Sequence, residues 1–75
     1  MEKFIRNIEL DEGRTMALHK DTGYTADGYE LFSYKIYDID FQVIKSESGF
    51  SSEQQAETAG RIANAIERRK DATTR

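Results

Sequence analysis

A change of pattern inside the segment Ser46–Gln55 constrains the fold of this chain more than any other feature. Before it, apolar and polar residues alternate as they do in β-strands. After it, alanine and isoleucine recur every three or four residues, as in an amphipathic helix. Ser51 and Ser52 each precede a glutamine by three residues, which is the spacing of a helix capping box. The sequence therefore predicts a β-rich part followed by one helix that begins at Ser51 or Ser52.

Alternation elsewhere in the chain places the remaining elements. Strands are predicted at residues 3–10, 15–20, 29–37 and 41–46, with turns at Asp11–Gly13, Asp21–Gly28 and Asp38–Asp40, and the helix at residues 52–69 before a frayed tail at 71–75. The whole chain, residues 1–75, is interpreted as one domain. The predicted fold class is α+β: an antiparallel sheet of three or four strands with one C-terminal helix packed on one face.

The same periodicity predicts which side chains face the helix. On the sheet these are Phe4, Ile8, Leu10, Met16, Leu18, Phe32, Tyr34 and Ile36, and on the helix Ala56, Ala59, Ala63 and Ile66. Gly60 in the middle of the helix is unfavourable relative to alanine, so we expect it to pack closely against an aromatic ring. The opposite face of the last two strands also carries apolar residues, which makes it a candidate for a dimer or partner surface.

The short length of the chain limits how it is stabilised. A 75-residue domain is near the lower size limit for a self-sufficient core, and without cysteine no disulfide can compensate. Binding to a partner or to a second copy is one way to compensate for the small core, and a monomer is the alternative. No apolar run reaches the roughly 18 residues of a membrane span, so the predicted location is cytoplasmic.

Catalytic and metal-binding residues are scarce in this sequence. His19 is the single histidine, cysteine is absent, and the paired acids Asp11/Glu12 and Asp38/Asp40 fall in predicted turns, where carboxylates favour turn geometry and water. No phosphate-binding glycine motif is present. These observations predict a non-catalytic chain with no cofactor and no metal.

Charge is distributed unevenly along the chain. Residues 1–60 contain twelve acids and six bases, whereas residues 61–75 contain two acids and five bases. An acidic body is steered toward a basic partner. The leading hypothesis is therefore a small protein-binding domain. Its narrower form is an acidic inhibitor of a basic nucleic-acid-binding protein, similar in size and charge to phage-encoded antagonists such as anti-CRISPR proteins. The residues expected to contact the partner are Asp11, Glu12, Tyr24, Glu30, Tyr37, Asp38 and Asp40.

The basic end of the helix supports an alternative hypothesis. A sheet with a C-terminal helix can contact nucleic acid through such a helix end, here with Arg61, Arg68, Arg69 and Lys70. Cations in the last turns also complement the helix dipole without any ligand. Phosphate contacts dominate the affinity for nucleic acid, and an acidic body opposes them. Nucleic-acid binding is therefore the second hypothesis.

One local pattern resembles a known family. The run Val43-Ile44-Lys45-Ser46-Glu47-Ser48-Gly49-Phe50-Ser51-Ser52, followed by Ala56, is similar to the strand-to-helix junction of YegP-like small repeat domains, here in a single copy. The layout of an aromatic residue followed by Ser-x-x-x-Ala also resembles the arm-binding domains of phage integrases. Both resemblances imply a sheet-and-helix fold, and neither implies a catalytic residue.

Overall fold

The computed structural model describes residues 2–21 and 30–73 of the chain, with side chains as far as Arg69. Strand β1 is Glu2–Glu9, β2 is Thr15–Asp21, β3 is Leu31–Tyr37 and β4 is Val43–Phe50, and a short 3-10 turn occupies Asp11–Gly13. Helix α1 is Glu53–Thr73. The strands form one antiparallel sheet in the order β1-β2-β3-β4, and α1 packs on one of its faces, which confirms the predicted fold class.

The core lies between the helix and the two central strands. Leu18 pairs with Tyr34 and Met16 pairs with Ile36 across β2 and β3, so all four side chains point to the helix side, as predicted. They are fully buried and form one cluster with Ala56 and Ala63 of the helix. A helix lined by alanine leaves little space above the sheet, so the bulk of the core comes from the strands.

Strand β1 departs from the predicted alternation because Ile5 is an extra residue in its pairing with β2. This β-bulge shifts the pattern by one position. Ile5 packs against the core, whereas Phe4 lies on the opposite face, with its ring 5.8 Å from that of His19. The prediction that Phe4 faces the helix is therefore wrong. Arg6 faces the helix and forms ion pairs with Glu53 and Glu57 at 3.1 and 2.8 Å.

Strand β4 begins and ends later than predicted. It starts at Val43 and continues through the predicted junction to Phe50, which pairs with Phe32 of β3. Gly49, with φ of +90°, forms the irregularity that allows this pairing. Pairing with β3 therefore outweighs the local turn signal of the Ser-Glu-Ser-Gly sequence.

Helix α1 begins as the capping pattern predicts. The Ser52 hydroxyl accepts a hydrogen bond from the Gln55 N–H at 3.1 Å, and the Gln55 side chain accepts one from the Ser51 N–H at 3.2 Å. The helix continues to Thr73, past the predicted end at residue 69 and into the segment that was expected to fray. Ile66, predicted to face the sheet, is about half exposed, because the buried face of the helix includes Asn64 instead.

Gly60 marks the closest approach of the helix to the sheet. A Cβ atom at this position would overlap Met16 Sδ and lie 3.3 Å from Tyr34 Cγ. The predicted aromatic contact is therefore present, but the methionine sulfur is the closer neighbour.

Within the described part of the chain, no helix is both long and apolar enough to cross a membrane.

Candidate functional site

The turn between β3 and β4, residues 38–42, is a tightly hydrogen-bonded loop that we call the tip. The Asp38 N–H donates to the Gln42 carbonyl and the Phe41 N–H donates to the Asp38 carbonyl, both at 3.0 Å. The Asp38 carboxylate also accepts hydrogen bonds from the N–H groups of Asp40 and Gln42, both at 2.9 Å. This arrangement, typical of aspartate in turns, confirms the turn predicted at Asp38–Asp40.

The tip presents large apolar side chains to solvent. Ile39 is 71% exposed and Phe41 is 79% exposed, and Val43, the first residue of β4, is half-exposed beside them. Phe41 was predicted to lie within the fourth strand, but it lies in the tip with φ of +62°. Positive φ is a rare conformation for a bulky residue, since its Cβ crowds the backbone. The chain therefore holds this ring outward at an energetic cost of about 1–3 kcal/mol.

The other turn at this end of the sheet supports the tip. Gly13, with φ of +76°, lies so close to Ile39 that a Cβ on the glycine would be 3.2 Å from Ile39 Cδ1. This contact joins the Asp11–Gly13 turn to the tip. Glu12 also has positive φ, at +58°, so both turns contain strained non-glycine positions.

Asp11 and Glu12, two of the predicted partner-binding acids, are held by the helix. Arg68 forms ion pairs with both of them. Asn64, which is buried, donates to Asp11 Oδ1 at 3.1 Å and accepts from Arg14 Nη1 at 3.0 Å. These contacts attach the turn Asp11–Gly13, which we call the first turn, to α1. Asn64 was not identified from the sequence, and its only signal there is a polar residue next to the inward-facing Ala63.

The structure brings some, but not all, of the predicted partner-binding residues together. Asp38 and Asp40 lie in the tip, and Tyr37 is half-buried next to Val43 on the sheet face away from the helix. Glu30 precedes β3 at the opposite end of the sheet, where it forms an ion pair with Lys20 at 2.7 Å. Tyr24 lies outside the described residues.

The cations of the alternative hypothesis are mostly compensated by nearby acids. Arg61 forms an ion pair with Glu57 at 3.1 Å, one helical turn earlier. Arg68 is bound by Asp11 and Glu12. Arg69 is exposed and makes a further interaction within the chain, and the side chain of Lys70 lies outside the described part. The helix end is therefore a mixed-charge surface rather than a purely cationic one.

Two polar groups on the sheet face away from the helix bear on catalysis. His19 and Ser33 are paired across β2 and β3, and Ser33 is buried. Among the described residues, neither His19 Nδ1 nor Ser33 Oγ has a hydrogen-bond partner. Activation of a serine needs a hydrogen bond to its base, and that bond is not formed here. Among the residues that the structure describes, no three potential metal ligands lie close together.

The hydroxyl of Tyr34 joins the core to strand β4. It donates to Glu47 Oε1 at 2.6 Å. Burial raises the pKa of Tyr34, and the hydrogen bond to Glu47 and the charge of that carboxylate raise it further. The phenol therefore remains protonated and links the core to β4.

Comparisons of this chain with protein-family models, with curated proteins and with solved structures find no match. The resemblance to YegP-like domains therefore stays a prediction.

Proposed function

We propose that this chain is a non-catalytic protein-binding domain that contacts its partner through the tip. The observation that carries the proposal is Phe41, which is 79% exposed and has a backbone with positive φ. Burying the ring against the sheet would stabilise the chain alone, so its outward orientation favours a contact outside the chain. Strained backbone positions of this kind are concentrated at binding and catalytic sites.

The chemistry of the tip indicates what kind of surface it fits. Phe41 and Ile39 are suited to an apolar pocket, and aromatic anchors of this type often dominate the binding energy of an interface. Asp38 and Asp40 flank them and would favour cationic side chains around that pocket. The proposed partner is therefore a protein with an apolar pocket bordered by lysine or arginine.

Inhibition of a basic nucleic-acid-binding protein, of the phage anti-defence or anti-CRISPR type, is a narrower form of this proposal. It is supported by the acidic balance of residues 1–60 and by the two aspartates at the tip. Asp11, Glu12 and Glu30 contribute less, because ion pairs within the chain already neutralise them. Nucleic-acid binding by the helix end is the weaker proposal, because Arg61 and Arg68 are paired with acids.

The test replaces Phe41 by asparagine, a residue that tolerates positive φ, so the strain is relieved while the ring is removed. We expect Phe41→Asn to unfold at an equal or slightly higher temperature than the wild type. Partner affinity should fall by about 2 kcal/mol, roughly a thirty-fold increase in Kd. The measurement is capture from host lysate with wild-type and variant baits, followed by calorimetric titration of the purified protein that is captured.

Phe4→Asn is the matched control, because it removes an exposed phenylalanine from β1, away from the tip. A protein retained by the wild type and by Phe4→Asn but lost by Phe41→Asn supports the proposal. If the Phe41→Asn bait binds the captured protein as tightly as the wild type does, the tip is not the contact surface.

A further inference from the structure

Strand β4 forms one edge of the sheet. It pairs with β3 on one side, and no described strand pairs with it on the other. Its middle, residues 45–48, is exposed and pairs regularly with β3, whereas the register shifts near both of its ends. Such an edge presents backbone N–H and C=O groups that can pair with another strand.

The charges of β4 are self-complementary about Ser46. Lys45 precedes Ser46 and Glu47 follows it. In an antiparallel pair of two identical strands centred on Ser46, each Lys45 lies opposite Glu47 of the other copy. Opposite charges placed directly across a strand pair are stabilising, and like charges are destabilising. Lys45 and Glu47 pair with Ile36 and Tyr34, so both side chains lie on the helix side of the sheet. Glu47 accepts the Tyr34 hydroxyl through Oε1, and its second carboxylate oxygen is the one that would face Lys45 of the other copy.

Two exposed isoleucines on the helix can pair with a second copy in the same symmetric way. Ile62 and Ile66 are 57% and 47% exposed, and they line the groove between α1 and β4 together with Lys45 and Glu47. The two isoleucines are about 6 Å apart along the helix axis. Lys45 and Glu47 are about 7 Å apart along the strand. Because all four side chains line one groove, a two-fold axis through Ser46 that places Lys45 opposite Glu47 of a second copy also turns the isoleucines of the two helices toward each other.

We infer that β4 and the adjacent side of α1 form a homodimer interface in which two sheets join edge to edge. The partner is a second copy of this chain, because both the charge pattern and the apolar pattern match themselves about the same axis. The regular part of β4 is short, so only a few backbone hydrogen bonds form between the two strands. The isoleucines of the two antiparallel helices add apolar contact to these hydrogen bonds. The tips of the two copies then point in opposite directions.

The test uses charge reversal on either side of the axis. In K45E or E47K, like charges face each other in both symmetric pairs, and the dimer dissociation constant should rise by at least about ten-fold. An equimolar mixture of K45E and E47K restores opposite charges in both pairs, so a one-to-one heterodimer should form. Sedimentation equilibrium and native mass spectrometry measure both results.

K3E is the matched control, because it makes the same charge change on β1 at the opposite edge of the sheet and should leave dimerisation unchanged. Recovery of the heterodimer also shows that both variants are folded. A wild type that stays monomeric at several hundred micromolar would overturn the inference. A dimer that K45E and I62K leave unchanged would overturn it too.

Discussion

The two turns at the same end of the sheet share acidic residues but have different roles. Asp11–Gly13 and Asp38–Gln42 are both acidic, and each contains a non-glycine residue with positive φ. The acids of the first turn bind Arg68 and Asn64 of the helix. In the second, the Asp38 carboxylate accepts hydrogen bonds from N–H groups of its own loop, and the exposed residues include the apolar Ile39 and Phe41. The comparison shows that paired acids in a turn do not identify a binding site until their partners are known.

The largest loss of stability should come from removing the hydrogen bonds of Asn64, which attach the first turn to the helix. Asn64→Ala removes the buried amide that links Asp11 with Arg14, so we expect the free energy of unfolding to fall by about 1–3 kcal/mol. Thr58→Ala, an exposed polar substitution on the same helix, should change it by less than about 0.5 kcal/mol. Urea denaturation measures both. Equal stability of the two variants would show that the first turn is not fastened through Asn64.

An intermediate loss of stability is expected from substitutions in the tip. Asp38→Ala removes the acceptor of two backbone hydrogen bonds, which should lower the free energy of unfolding by about 1 kcal/mol. Asp40→Ala should have little effect on stability, because the hydrogen bond of Asp40 in the tip is made by its backbone N–H. Thermal denaturation of the two variants separates these roles. If Asp40→Ala proved the more destabilising, the assignment of Asp38 as the residue that fixes the tip would be wrong.

The smallest effect concerns the ion pairs of Arg68, whose partners at the first turn are largely exposed. Arg68→Gln should cost about 0.2–1 kcal/mol at low salt, and the difference should shrink in 1 M salt because exposed charges are screened. Arg61→Gln, which affects one pair within the helix, should cost about 0.3–0.5 kcal/mol. Chemical denaturation at both salt concentrations provides the comparison. A loss in Arg68→Gln that persists at high salt would point to packing of its side chain instead.

The sequence was sufficient to predict the fold because periodicity and local composition agree over most of the chain. Met16 and Leu18 alternate cleanly with their neighbours, and the alanines of α1 recur at helical spacing. Errors occurred where the register depends on the partner strand. The bulge at Ile5 reverses the face of Phe4, and the pairing of Phe32 with Phe50 extends β4 through a turn-like sequence.

The candidate site was predictable only in part. The aspartates of the tip carry a turn signal, and their position was predicted correctly. Phe41 has the composition of a strand residue, and no local rule places an aromatic side chain at positive φ. Ion pairs such as Arg68 with Asp11 join residues that are far apart in the chain, so they follow from the packing of α1 and not from any short motif.

The absence of a side chain at Gly60 affects how the helix is positioned on the sheet. Met16 Sδ occupies the space where any other residue would place its Cβ, so the glycine acts as a notch that fits over the sulfur. Sliding the helix along its axis by one turn would bring Ala56 or a residue near Ala63 over the same sulfur, and the buried Met16 side chain would have to move. The glycine therefore favours the observed axial position of α1, in which Arg68 reaches Asp11.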